Sequence, residues 1–166
     1  MSRERQIRSY DYVNHPYERV RDALTEDARA VFQAATKAAA SRAKLVASEL
    51  KVNVAGIEIG TDVSIEVTHI ASHAADAVSP PSTCLSLEWA AVNAPHLFPL
   101  MKAELSIYPV TTTETQLDFH GSYQPPGGLL GSAFDSVVGH RIADASVHRF
   151  IAEVAEHLRV SLDQSA

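Results

Sequence analysis

His140, Trp89 and Tyr123 are the side chains in this sequence that join a polar tip to an apolar setting. An imidazole among small and apolar neighbours can orient a ligand or move a proton. It also suits a core histidine satisfied by backbone or water. Indole and phenol offer aromatic area with one polar handle each, and serve equally as core. Cys84 is the only cysteine, so no intrachain disulfide forms, and no neighbour in sequence equips it as a catalytic thiol. His69 and His73 stand four apart, a metal-binding spacing on a helix. They fall where a strand runs into a loop, and extended chain separates such rings by over ~10 Å. No metal or other cofactor is expected. Phosphate loops, dinucleotide fingerprints, nucleophile elbows and paired cysteines are missing from the sequence.

The elements that must position these groups follow from periodicity. Residues 5–13 read as a strand. Pro16 then suits a first helical position, with Asn14 or His15 as the cap, and a short helix covers about 16–24. A second short helix starts at Thr25-Glu26-Asp27 and carries Ala28, Val31, Phe32, Ala35 and Ala39 at helical spacing. Residues 40–49 fit either helix or strand. From Leu50 the period is two: Leu50, Val52 and Val54, then Ile57 and Ile59 after a bulge at Ala55-Gly56. Further strands carry Val63, Ile65 and Val67; Leu85, Leu87, Trp89 and Ala91; Met101, Ala103, Leu105 and Ile107; and Leu117, Phe119 and Tyr123. Residues 72–83 read as a polar loop. Pro125-Pro126-Gly127-Gly128 ends the last strand, and about 129–162 forms one long helix. The expected fold is α+β: a curved antiparallel sheet of six or seven strands wrapped around the C-terminal helix, which alone plugs the concave side.

Parity assigns the faces. From Ile57 onward odd positions are apolar and point to the helix, whereas Glu58, Glu66, Glu88, Glu104, Glu114 and Asp118 are even and point to solvent. A concave face without carboxylates argues against an acid–base enzyme built on the sheet. The long helix carries a stripe of Leu129, Ala133, Ser136, His140, Ala143, Val147, Ile151, Val154 and Leu158. Its second half is large and apolar. Its first half is small, which predicts either a cavity or filling by other side chains. The expected lining is Trp89, Met101, Phe119, Tyr123, Ser136, His140 and Ala143. Phe134, Val138, Ile142 and Ala145 form a second apolar face, covered within the chain or by a homodimer through Phe134, Val138 and Ile142.

Composition sets the outer bounds. A chain of 166 residues, 46% hydrophobic and 20% charged, fits a single domain over 1–166 that needs no staples. A net charge of −6 argues against a nucleic-acid partner. Arg3, Arg5 and Arg8 read as a solvated basic end. No signal peptide or spanning segment is evident, so a cytoplasmic location without membrane insertion is expected.

Two stretches carry a family resemblance. One runs Tyr12-Val13-Asn14-His15-Pro16-Tyr17-Glu18-Arg19-Val20-Arg21-Asp22-Ala23-Leu24. The other runs from Gly121-Ser122-Tyr123-Gln124-Pro125-Pro126-Gly127-Gly128 through Leu129-Leu130-Gly131 to Asp135 and His140-Arg141-Ile142-Ala143. With the element order, they resemble the helix-grip superfamily, which includes the birch-pollen-allergen-like, START-like and polyketide cyclase/dehydrase-like proteins, in its actinobacterial-type form. The resemblance implies a ligand-binding domain. Family members include hydrophobe carriers, aromatase/cyclases and hormone receptors, and fold does not choose among them. Three readings stand: a carrier of a small hydrophobic molecule such as a lipid or polyketide, with no catalytic residue; a cyclase or dehydratase with His140 as its catalytic group; or an interaction module with a vestigial cavity.

Overall fold

The computed structural model describes residues 4–49, 63–91, 101–123 and 136–165. The elements run β1 (Arg5–Val13), α1 (Tyr17–Glu26), α2 (Ala28–Glu49), β2 (Val63–His73), β3 (Ser82–Ala91), β4 (Met101–Thr111), β5 (Glu114–Tyr123) and α3 (Ser136–Gln164). Among the described residues there are five strands, in the antiparallel order β1-β5-β4-β3-β2. This is the expected α+β arrangement, a sheet packed on a long C-terminal helix. The strand expected over 50–59, and with it a count of six or seven, lies outside the described residues. So do Glu58 and the first part of the long helix, 129–135.

Three local expectations need correcting. Pro16 sits at the N-cap of α1, one residue before the helix, and no side chain caps it. Its carbonyl accepts from the N–H groups of Arg19 and Val20. The second helix is not short. α2 continues through 40–49 to reach 22 residues, or about 33 Å. That stretch, Ala-Ser-Arg-Ala-Lys-Leu-Val-Ala-Ser-Glu, has no Gly or Pro to stop it. Finally, β2 extends to His73 and β3 begins at Ser82, so the polar loop shrinks to 74–81. His69 and His73 both lie in β2 and are exposed.

The length of α2 changes the helical layer. α3 does not cover the sheet alone: α2 packs along α3 and over β2, while α3 lies along β1. Val31, Phe32 and Ala35 of α2 are buried, as are Val147, Phe150, Ile151, Val154 and Leu158 of α3. Phe32 stacks on Phe150 at 5.8 Å, which locks the two helices together over the sheet. Ile142, one of the three residues named for a homodimer, is buried within the chain. The side chains of Phe134 and Val138 lie outside the described residues.

The face assignment holds in β3, β4 and β5. Leu85, Leu87, Trp89, Leu105 and Phe119 are buried, and Glu66 and Glu104 are exposed. Glu88 faces Lys102, and Asp118 faces Arg8, on the outer side. In β2 a register shift between Val67 and His69 inverts the parity. Ile65 and Val67 pack against the core before the shift, and Ser72 reaches Thr83 after it.

Candidate functional site: the open end of the interior

Register places the helix-facing residues in rows across the sheet. The first row is Ile65, Trp89, Met101, Tyr123 and Arg5, from β2 to β1. The second is Val67, Leu87, Ala103, Gly121 and Ile7, and the third includes Leu85, Leu105, Phe119 and Ser9. In the third row all four are buried, whereas in the first Ile65, Met101, Tyr123 and Arg5 keep partial exposure. His140 and Ala143 of α3 are also partly exposed. Among the described residues the interior is therefore closed at its middle and partly open at the Trp89–Tyr123 end.

An aromatic cluster forms the floor of that opening. Trp89 stacks on Phe119 at 5.4 Å and meets Phe150 edge-on at 4.7 Å. The contact skips a row, which only small residues permit. Gly121 and Ala103 fill the second row here, and a Cβ on Gly121 would lie 2.9 Å from Phe119 Cε1. Sequence parity put Phe119 among the lining residues. It is fully buried beneath Trp89, so it supports the floor. Trp89, Met101 and Tyr123 share the first row. His140 stands on the helix stripe that continues through the buried Val147 and Ile151. The side chain of Ser136 lies outside the described residues.

Two buried nitrogens lack a hydrogen-bond partner among the described residues, Trp89 Nε1 in the first row and His140 Nδ1 on the α3 stripe. Trp89 is only 8% exposed. Indole N–H can only donate, so a buried one needs an acceptor, and its lack costs ~1–3 kcal/mol. The Tyr123 hydroxyl is held in its neutral form: burial pushes its pKa up, nearby Asp144 adds to this, and Arg5 opposes it. Asp144 lies 3.7 Å from His148, whose Nδ1 shares a 2.9 Å hydrogen bond with Ser9 Oγ.

Some polar groups escaped the sequence reading. Asp11 is a carboxylate on the helix-facing parity of β1, so the concave side is not free of acids. It is already engaged, accepting from Arg159 at 2.9 Å. Extending the parity argument back to β1 marks Arg5, Ser9 and Asp11 as helix-facing. Arg5 is thus not part of a merely solvated end, while Arg8 on the outer face pairs with Asp118. The far end of the interior is tied by a hydroxyl chain. Tyr17 Oη lies 2.7 Å from Thr83 Oγ1, which lies 3.0 Å from Ser72 Oγ. His15 Nε2 donates to Asp163 at 2.9 Å and anchors the end of α3. An open cleft of about 500 Å³ lies outside this end, between Tyr17, Glu18 and the β4–β5 turn. The described residues contain no cluster fit to hold a metal ion and no helix long and apolar enough to cross a membrane.

No family model matches the chain, and neither does any curated protein. Solved structures do. One is the Zhui aromatase/cyclase from Streptomyces sp. R1128, at 10% identity, 94% coverage of each chain and a TM-score of 0.47. Another is a conserved protein from Geobacillus kaustophilus, at 16% identity, covering 93% of this chain and 95% of that one, TM-score 0.47. A third is norcoclaurine synthase from Thalictrum flavum, at 8% identity, with 94% and 87% covered and a TM-score of 0.44.

Proposed function

We propose that the protein binds a small, mainly apolar molecule at the open end of its interior, between Trp89, Met101, Tyr123 and the His140–Ala143 turn of α3. The observation that carries this reading is the Trp89 N–H, buried beside apolar groups with no acceptor among the described residues. A ligand oxygen placed there would recover the lost hydrogen bond, while Trp89 and Met101 supply apolar contact. A carrier or receptor role is favoured over catalysis. Among the described residues no group bonds His140 to fix its tautomer, as a general base requires.

The second reading, a cyclase or dehydratase, rests on the same histidine. A buried imidazole nitrogen without a partner is available to a reacting group. One set of measurements separates the two. Titration with a hydrophobic fluorescent probe should quench Trp89, the only tryptophan in the chain. His140→Phe should weaken the probe by filling space, and Trp89→Phe should weaken oxygen-bearing probes while the fold remains. Probe binding that leaves Trp89 emission unchanged would place the ligand elsewhere. Turnover lost in His140→Ala with binding retained would establish the enzyme. Mass spectrometry of lipophilic molecules that co-purify with the native protein identifies the ligand in either case.

A further inference from the structure

The polar groups at the open end are mostly donors. Arg5 and Tyr123 are directly paired across β1 and β5, on the helix-facing parity. Both are partly exposed, so the space before them is reachable from solvent. Arg5 carries a permanent charge with a fork of N–H donors. Tyr123 keeps its proton, because burial pushes its pKa up. The sheet acids Glu66 and Glu104 point away from this space. Asp144, on α3, lies 3.7 Å from His148. Among the described residues Arg5 forms no ion pair, whereas Arg8 pairs with Asp118 and Arg159 with Asp11. Trp89 stands two strand spacings from Tyr123, about 10 Å, and adds a further donor in the same row.

We propose that the bound molecule is an amphipathic carboxylate, with its acid group on Arg5 and Tyr123 and its apolar body lying along Met101 and Trp89 toward α3. This rests on the apolar-ligand reading above and narrows it to one headgroup. Planar guanidinium matches a carboxylate in two-point geometry, and the phenol donates beside it. A neutral ester keeps the apolar body but loses the charge. An amine would meet donors where it needs acceptors.

Three probes that share one body test this: 11-(dansylamino)undecanoic acid, its methyl ester and the matching amine. Energy transfer from Trp89 to the dansyl group reports binding, and the response of the acid to Arg5→Gln assigns it to this site. The acid should bind at least tenfold more tightly than the ester or the amine. Arg5→Gln should bring the acid to the level of the ester and leave the ester unchanged. Tyr123→Phe should weaken the acid about threefold. Melting curves on both variants check that the fold is kept. Equal affinity for acid and ester in the wild type overturns the carboxylate and leaves the apolar-ligand reading standing. A preference for the amine does the same, as does an Arg5→Gln variant that weakens acid and ester alike. No binding of any probe overturns both.

Discussion

Gly121→Ala probes the packing that creates the floor of the candidate site. The new Cβ would lie 2.9 Å from Phe119 Cε1, 3.3 Å from Phe119 Cζ and 3.3 Å from Met101 Sδ. The methionine sulfur can swing aside. The Phe119 ring cannot move freely, because Trp89 stacks on it and Phe150 meets it at 6.0 Å. Overpacking of this kind costs about 1–3 kcal/mol. Replacing glycine recovers about 0.4–1 kcal/mol through the unfolded chain. The net expectation is a loss of roughly 1–2 kcal/mol, or a melting point lower by about 2–8 °C for a chain of this size. Urea denaturation followed by Trp89 emission measures it, because the only indole sits on the displaced ring. The same substitution made in a Phe119→Leu background should cost at least ~0.5 kcal/mol less, since the clashing edge is gone. A Gly121→Ala variant as stable as wild type would refute the packing argument. So would an equal cost in both backgrounds.

Three further outcomes follow from other parts of the structure. Thr83→Val should cost more than Tyr17→Phe in urea denaturation. The first leaves the buried Tyr17 hydroxyl unpartnered, at about 1–3 kcal/mol, and the second leaves Thr83 its bond to Ser72, at about 1 kcal/mol. Arg159→Ala should destabilise by about 1–2 kcal/mol, because the guanidinium joins α3 to β1 through Asp11 and the carbonyl of Tyr12. A loss under ~0.3 kcal/mol would show that this guanidinium adds nothing to the hold on α3. Stability should also fall as pH rises through and above 10.0, the ordinary tyrosine value. The raised Tyr123 pKa means that the native state still holds a proton the unfolded chain has released, so the slope of stability against pH is negative there. Tyr123→Phe should flatten that slope, and an unchanged slope would assign the loss to other groups.

Much of the architecture was legible before any coordinates. Period-two alternation marks β1, β3, β4 and β5, and helical spacing marks α3, because each buries one face and the pattern records which. Parity put Trp89, Met101 and Tyr123 on the helix-facing side and Glu66 and Glu104 outside, while their common row comes from the register of the strands. The resemblance in element order pointed to the same sheet-and-helix arrangement. The cavity expected from the small residues of the helix stripe rests on Ala133 and Ser136, whose side chains lie outside the described residues, while Ala143 packs against the core.

What local pattern cannot carry is decided by long-range pairing. The reach of α2 depends on α3 and β2 being there to receive it, since an alanine-rich segment without breakers is helical only where tertiary packing supports it. The register shift after Val67 inverts one face of β2 with no change in composition. The Trp89–Phe119 stack exists because Gly121 falls between them across neighbouring strands, an alignment that spans 32 residues of sequence and no local window contains. Asp11 looks like a solvated acid until Arg159, 148 residues away, is brought against it. Sequence by itself therefore determined most of the elements and the faces that β3, β4 and β5 bury, because those depend on spacing along one strand or one helix. Only the tertiary structure decided which polar groups are satisfied and which stay open for a ligand, because hydrogen bonds join residues whose distance in sequence carries no information about their distance in space.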